Sequence, residues 1–178
     1  MGSFKEKMAL GDQMEMTGEY SAFVKKFKPK KTTDECYTPD NVYAAVHDWA
    51  VKEYGLESAR IIRPFYPGGD YKKEDYSGNC AVIDNPPFSI LAEICRWYNQ
   101  RGTRFFLFGP AKTIFTGSGS DGINYVICGL SIMYDNGASV DTSFVTNMGQ
   151  YKIMVAPDLY EAIKAADDEN RKEVTKSL

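Results

Sequence analysis

The sequence is poor in the residues that build metal and disulfide sites. It holds one histidine, His47, and four cysteines (Cys36, Cys80, Cys95 and Cys128), which are scattered and form no Cys-x-x-Cys pair. A structural zinc site needs several such ligands at close spacing, and a disulfide framework needs paired cysteines in a small secreted chain. Neither a metal centre nor a disulfide scaffold is expected. Long apolar runs are missing too. No stretch approaches the ~18 residues needed to span a bilayer, and the N-terminus lacks the apolar core of a signal peptide. A cytoplasmic protein with reduced thiols and no membrane contact is the expectation. Nor is there an excess of positive charge: the net charge is −3 and the pI about 5.3, so the chain as a whole is not drawn to nucleic acid by its field.

What is present is enough for one core. The chain has 178 residues, 13% of them aromatic, which suits a single packed domain. One basic stretch stands out, Lys25-Lys-Phe-Lys-Pro-Lys-Lys31, with five lysines in seven positions. It reads equally as a phosphate-contacting arm or as a solvated one. Residues 1–31 show no sustained period and read as an N-terminal extension. Residues 32–178 read as an α/β domain.

Within that domain the apolar period switches repeatedly between helix and strand. A helix is expected from about Asp40 to Tyr54, with Val42, Val46, Trp49 and Ala50 inward and Gly55 as its stop. Strands follow at Ala59–Ile62 and Ala81–Ile83. A helix from about Ile90 to Gln100 should bury Leu91, Ile94, Cys95 and Tyr98 and end at Gly102. Arg104–Phe108 is a further buried strand. Thr116–Gly122 reads as a flexible loop. Ile123–Tyr134, Ser143–Met148 and Tyr151–Val155 read as strands, with Asp135-Asn-Gly137 as a hairpin turn. A charged helix covers Leu159 to about Val174. The chain ends without a stop signal at Lys176-Ser-Leu178, which reads as a truncated C-terminus.

The chemistry concentrates at Ala81-Val-Ile-Asp-Asn-Pro-Pro-Phe-Ser89. A buried strand ends at Asp84-Asn85, two prolines forbid further ladder bonding, and Phe88 precedes a helix. An amide, a rigid diproline and an aromatic ring are thus held at the carboxyl end of a strand, where open α/β sheets bind ligands. Asn-Pro is also an ordinary turn dipeptide. At average residue usage, however, Asn-Pro-Pro-(Phe or Tyr) arises by chance in roughly one chain of this length in a thousand.

The tetrad Asn85-Pro86-Pro87-Phe88 resembles the catalytic motif of the nucleic-acid amino-methyltransferases. The Asn form with Phe is most similar to the adenine-specific DNA branch, including its small phage-type and EcoRI-methylase-like members. The resemblance implies an abridged Rossmann-like fold using S-adenosylmethionine (SAM), with a mostly parallel sheet and an antiparallel hairpin near the C-terminus. It implies that Asn85 Oδ1 and the Pro86 carbonyl accept hydrogen bonds from the adenine amine, favouring its electron-rich form. Pro87 shapes the turn, and Phe88 stacks on a base swung out of the duplex. The partner is then DNA, and no metal is needed.

Two weaker matches accompany the tetrad. Tyr37-Thr38-Pro39 before a helix resembles the segment whose backbone holds the methionine part of SAM. Arg63-Pro-Phe-Tyr-Pro-Gly-Gly-Asp70 resembles the family's cofactor loop and implies Phe65, Gly68, Gly69 and Asp70 as cofactor residues. In that loop Arg63 stands where an acidic residue is usual. Only 14 residues separate Asp70 from Asn85, too few for the two βα units a full methyltransferase fold places there. Glu74 or Asp75 is then the nearest acidic residue for the cofactor's ribose. Gly109-Pro-Ala-Lys-Thr113 lacks the second glycine of a P-loop. Alternatives stay open: a degenerate methyltransferase fold that binds without catalysis, another enzyme class using SAM or a nucleotide, or amino-methylation of RNA or protein glutamine.

Overall fold

The structure, a computed structural model, describes residues 37–66, 69–116 and 122–176. The N-terminal extension, the Lys25–Lys31 stretch, Cys36, Gly68 and most of the Thr116–Gly122 loop lie outside the described residues. Among the described residues, nine regular elements of some length follow in chain order: α1 (Asp40–Glu53), β1 (Arg60–Ile62), β2 (Cys80–Asp84), α2 (Leu91–Arg101), β3 (Arg104–Pro110), β4 (Asn124–Met133), β5 (Ser139–Thr146), β6 (Ile153–Val155) and α3 (Pro157–Lys176). A single 3-10 turn, Phe88–Ile90, leads into α2.

The six strands form one sheet in the order β1-β2-β3-β5-β4-β6. β1, β2 and β3 are mutually parallel. β5 runs antiparallel to both β3 and β4, and β6 is parallel to β4. Five strands therefore point one way and β5 alone points the other. The expected hairpin is the β4–β5 pair, closed where Gly137 adopts φ 80° and donates to the Tyr134 carbonyl at 2.8 Å. Left-handed backbone of this kind is what glycine permits without a Cβ clash.

Strand alternation sorts the core into two layers. Ala81, Ile83, Phe106, Phe108 and Phe144 face α1 and α3, which supply Val42, Val46, Ala50, Leu159 and Ile163. Phe106 and Phe144 stack at 4.9 Å. Cys80, Val82, Phe105, Leu107 and Val145 face α2 with Leu91, Ile94, Cys95 and Tyr98. The helical spacing read from the sequence thus matches the buried faces of α1 and α2. Gly102 ends α2 in the left-handed region, φ 66°.

Some boundaries move. β5 starts at Ser139 and ends at Thr146, whereas alternation predicts 143–148. Its first half carries Ser139, Asp141 and Thr142, and the ladder to β4 continues through them without an apolar signal. Near the middle of β4 the register shifts between Val126 and Leu130. There Cys128 N and Gly129 N both donate to the buried Ser143 Oγ, at 3.2 and 3.0 Å, so a side chain replaces the missing ladder bond.

Segment 69–79 forms no strand or helix. It folds as a turn against α2, with Tyr71 and Tyr76 packed edge-on to Trp97 at 5.4 and 5.7 Å. Tyr76 OH donates to the Tyr71 carbonyl at 2.6 Å and lies 2.9 Å from Tyr98 OH. β1 is consequently an edge of the sheet.

Candidate functional site

All three sequence motifs gather at the carboxyl edge of the parallel strands. β2 is buried along its whole length and ends on Asp84, 3% exposed. Asp84 Oδ1 accepts from Asn85 N and Oδ2 from Phe65 N, both at 2.9 Å. One carboxylate therefore ties the start of the Asn-Pro-Pro-Phe turn to the loop that follows β1. The Arg63 Nε lies 3.5 Å from Asp84 Oδ1. Burial pushes the Asp84 carboxyl up from its ordinary value, while the Phe65 and Asn85 N–H groups and Arg63 pull it down less strongly.

Arg63 is held on a second side as well. Its guanidinium lies 3.5 Å from the centroid of the Tyr43 ring, a cation–π contact. Tyr43 sits in the first turn of α1, and its hydroxyl donates to the Ile83 carbonyl at 3.0 Å. Helix α1 has no side-chain cap at its N-terminus. Just ahead of it, Thr38 is 7% exposed, and its buried Oγ1 makes no hydrogen bond among the described residues. Tyr37 is exposed, and its carbonyl accepts from Asp135 N at 3.2 Å, which ties this segment to the β4–β5 turn. Pro39 precedes the helix, and its carbonyl accepts from Tyr43 N.

After Asn85 the chain runs through the buried Pro86 and half-buried Pro87 into the 3-10 turn at Phe88. A cleft of about 340 Å³ opens here. One wall is Phe88, Ser89, Leu91 and Ala92, and the other is Pro110, Thr113, Ile114 and Thr116 from the loop after β3. Among the described residues no charged side chain lines it, so these walls suit a neutral, flat group better than a phosphate or carboxylate. Gly109 lets Leu91 pack close behind this loop: a Cβ there would meet Leu91 Cδ2 at 3.0 Å. Asn85 stands at the head of the turn and is not a lining residue. A second cleft of about 240 Å³, between Tyr54, Asn124, Met148 and Tyr151, lies at the opposite, amino-terminal edge of β4, away from the tetrad.

The expected cofactor loop is only partly as read. Gly69 N donates to the Tyr66 carbonyl at 2.9 Å. A Cβ on Gly69 would come within 2.7 Å of the Pro64 carbonyl. The glycine is therefore required by the loop's own backbone, a reason for it distinct from close approach of a cofactor. The Asp70 carboxylate accepts from Lys72 N at 3.0 Å and pairs with Lys73 at 3.3 Å. The Lys72 N–H and the Lys73 ammonium hold this carboxyl below its usual range, so it caps its own turn. Phe65 packs on Tyr71 at 5.5 Å. Asp75 accepts from Ser77 N at 2.9 Å, and Glu74 from Tyr66 OH at 3.3 Å.

Sequence reasoning missed the two residues that join these loops, Asp84 and Tyr43. An acidic residue closing an otherwise apolar strand was the available signal for Asp84, since a buried carboxylate needs donors. Among the described residues no cluster of three or more His, Cys, Asp or Glu is placed to hold a metal, and no helix is long and apolar enough to cross a membrane. Comparison with known proteins adds no relative: no family model, no curated protein and no solved structure matches the chain.

Proposed function

We propose that the chain is a SAM-dependent methyltransferase acting on the exocyclic amino group of adenine in DNA, built on an abridged Rossmann-like methyltransferase fold. The observation that carries this reading is the placement of Asn85–Phe88. The tetrad leaves a buried strand at the carboxyl edge, its first N–H is fixed by Asp84, and its aromatic member forms the wall of a cleft whose described lining carries no charge. The sheet supports the fold reading: a single reversed strand sits between β3 and β4, and β1 is an edge where two βα units are missing.

SAM, when bound, supplies an electrophilic methyl group. The chain's own part is to bind and orient. Asn85 and the Pro86 carbonyl accept from the adenine amine, Phe88 stacks on the base, and the loop after β3 shields the other side from water. The residues fit the cofactor's amino-acid end in donor character: a buried hydroxyl without a partner among the described residues and a guanidinium both favour a carboxylate. The non-catalytic alternative draws its support from Arg63 in place of an acid and from the committed Asp70.

The deciding experiment is transfer of labelled methyl from SAM to duplex DNA, with RNA and a glutamine peptide as parallel acceptors. Label on adenine N6, reduced roughly 10²–10³-fold in Asn85→Ala as for loss of one preorganised polar contact, is the expected result. Asn85 is half-buried, so the variant should lose no more than about 1 kcal/mol of stability. SAM binding without transfer to any acceptor would leave the binding-module reading; unchanged transfer in Asn85→Ala would remove the mechanism.

A further inference from the structure

The Arg63 side chain is fixed on two sides and open on the third. Tyr43 supports its plane, and the buried Asp84 stands 3.5 Å from Nε. Its two terminal nitrogens have no protein partner among the described residues, and the side chain is 45% exposed. A guanidinium held in this way presents a preset fork whose entropy of ordering has already been lost. What the fork matches is a planar carboxylate, bound bidentately. The surroundings agree. Tyr43 belongs to the first turn of α1, and Thr38 just ahead of that helix carries a buried hydroxyl without a partner among the described residues. Donors therefore collect at one end of the site, whereas no charged side chain among the described residues lines the cleft beside Phe88.

We infer that Arg63 is the anchor for a carboxylate on the small molecule bound at the ends of β1 and β2. On the methyltransferase reading, on which this assignment rests, that group is the carboxylate of the cofactor's amino-acid end. Arg63, standing where an acidic residue is usual in the family, would then hold the cofactor's acid group.

The test compares two probes that differ in this group. S-adenosylhomocysteine carries the amino-acid end; 5′-methylthioadenosine does not. Both are titrated calorimetrically into the full chain, its Arg63→Ala variant and its Arg63→Lys variant. The wild type should bind S-adenosylhomocysteine more tightly than methylthioadenosine. Arg63→Ala should weaken S-adenosylhomocysteine by about tenfold to a hundredfold, the range for loss of a charge-assisted contact, and leave methylthioadenosine within about twofold. Arg63→Lys, which keeps the charge but not the fork, should fall between. Because methylthioadenosine reports an intact site, a misfolded variant would be recognised by loss of both, and Arg63→Lys then carries the comparison. An affinity ratio unchanged by either substitution overturns the anchor and leaves the methyltransferase reading standing. Binding of neither probe to the wild type overturns that reading and this assignment with it.

Discussion

Asp84 offers the sharpest test of how the site is held together. Replacing it with alanine leaves the Phe65 and Asn85 N–H groups, each now bonded at 2.9 Å, without an acceptor, and frees Arg63. An orphaned N–H costs roughly 1–3 kcal/mol. Both are part-buried, so the lower half of that range applies, and two of them give about 2–4 kcal/mol. Relief of a buried charge offsets part of this, leaving a net loss of about 1.5–3 kcal/mol. For a chain of this length that is a fall in Tm of roughly 3–12 °C.

Asp84→Asn isolates the charge. Burial raises the folded-state carboxyl above its ordinary 3.8, so between those two values the folded chain binds the more protons. The slope of stability with pH is then negative: the contribution of Asp84 is greatest at and below pH 3.8, falls as pH rises through the folded value, and is level above it. Urea unfolding of wild type and Asp84→Asn across pH 4 to 8 should show their difference shrinking with rising pH and then flattening. A difference that grows with pH, or an alanine variant within about 0.5 kcal/mol of wild type, would refute the clamp.

Other expectations follow from packing and burial. Phe106→Ala should cost about 3–5 kcal/mol, because the ring is fully buried between Phe144, Trp49 and Tyr54; denaturant unfolding reads this directly. Cys95 and Cys128 have thiols pushed up to about 12 by burial, so alkylation of the folded chain at pH 8 should leave both unmodified by mass spectrometry until denaturant is added.

The helices were legible because each buries one face at the helical period: Val42, Val46 and Ala50, then Leu91, Ile94, Cys95 and Tyr98. Strand β2 and the turn after it were legible because β-branched residues and two prolines leave the backbone few choices. The start of β5 was not, since Ser139–Thr142 pairs through backbone bonds that carry no side-chain pattern. At the candidate site, Asn85 and Phe88 stand out in the sequence by type and spacing. The sequence could not mark the Arg63–Tyr43–Asp84 contact, whose members come from three separate elements, nor show that Asp70 and Gly69 answer to their own turn. Such assignments depend on which donors happen to meet, a property of the folded chain.

The reversed strand has a consequence for the order in which this chain assembles. β4 and β5 pair across a short turn, with Met133 opposite Ser139. Every other pairing closes a longer loop: Arg60 meets Cys80, Ala81 meets Arg104, Tyr125 meets Ile153 and Pro110 meets Thr142. Closing long loops costs more chain entropy before any contact rewards it. The β4–β5 hairpin is thus the natural early structure, and the parallel pairs β1–β2 and β2–β3 join later. Asn85, Asp84 and Arg63 all sit on the ends of those later strands. A chain on its way to the folded state therefore acquires its hairpin before its candidate site, which forms only as the parallel half of the sheet is completed.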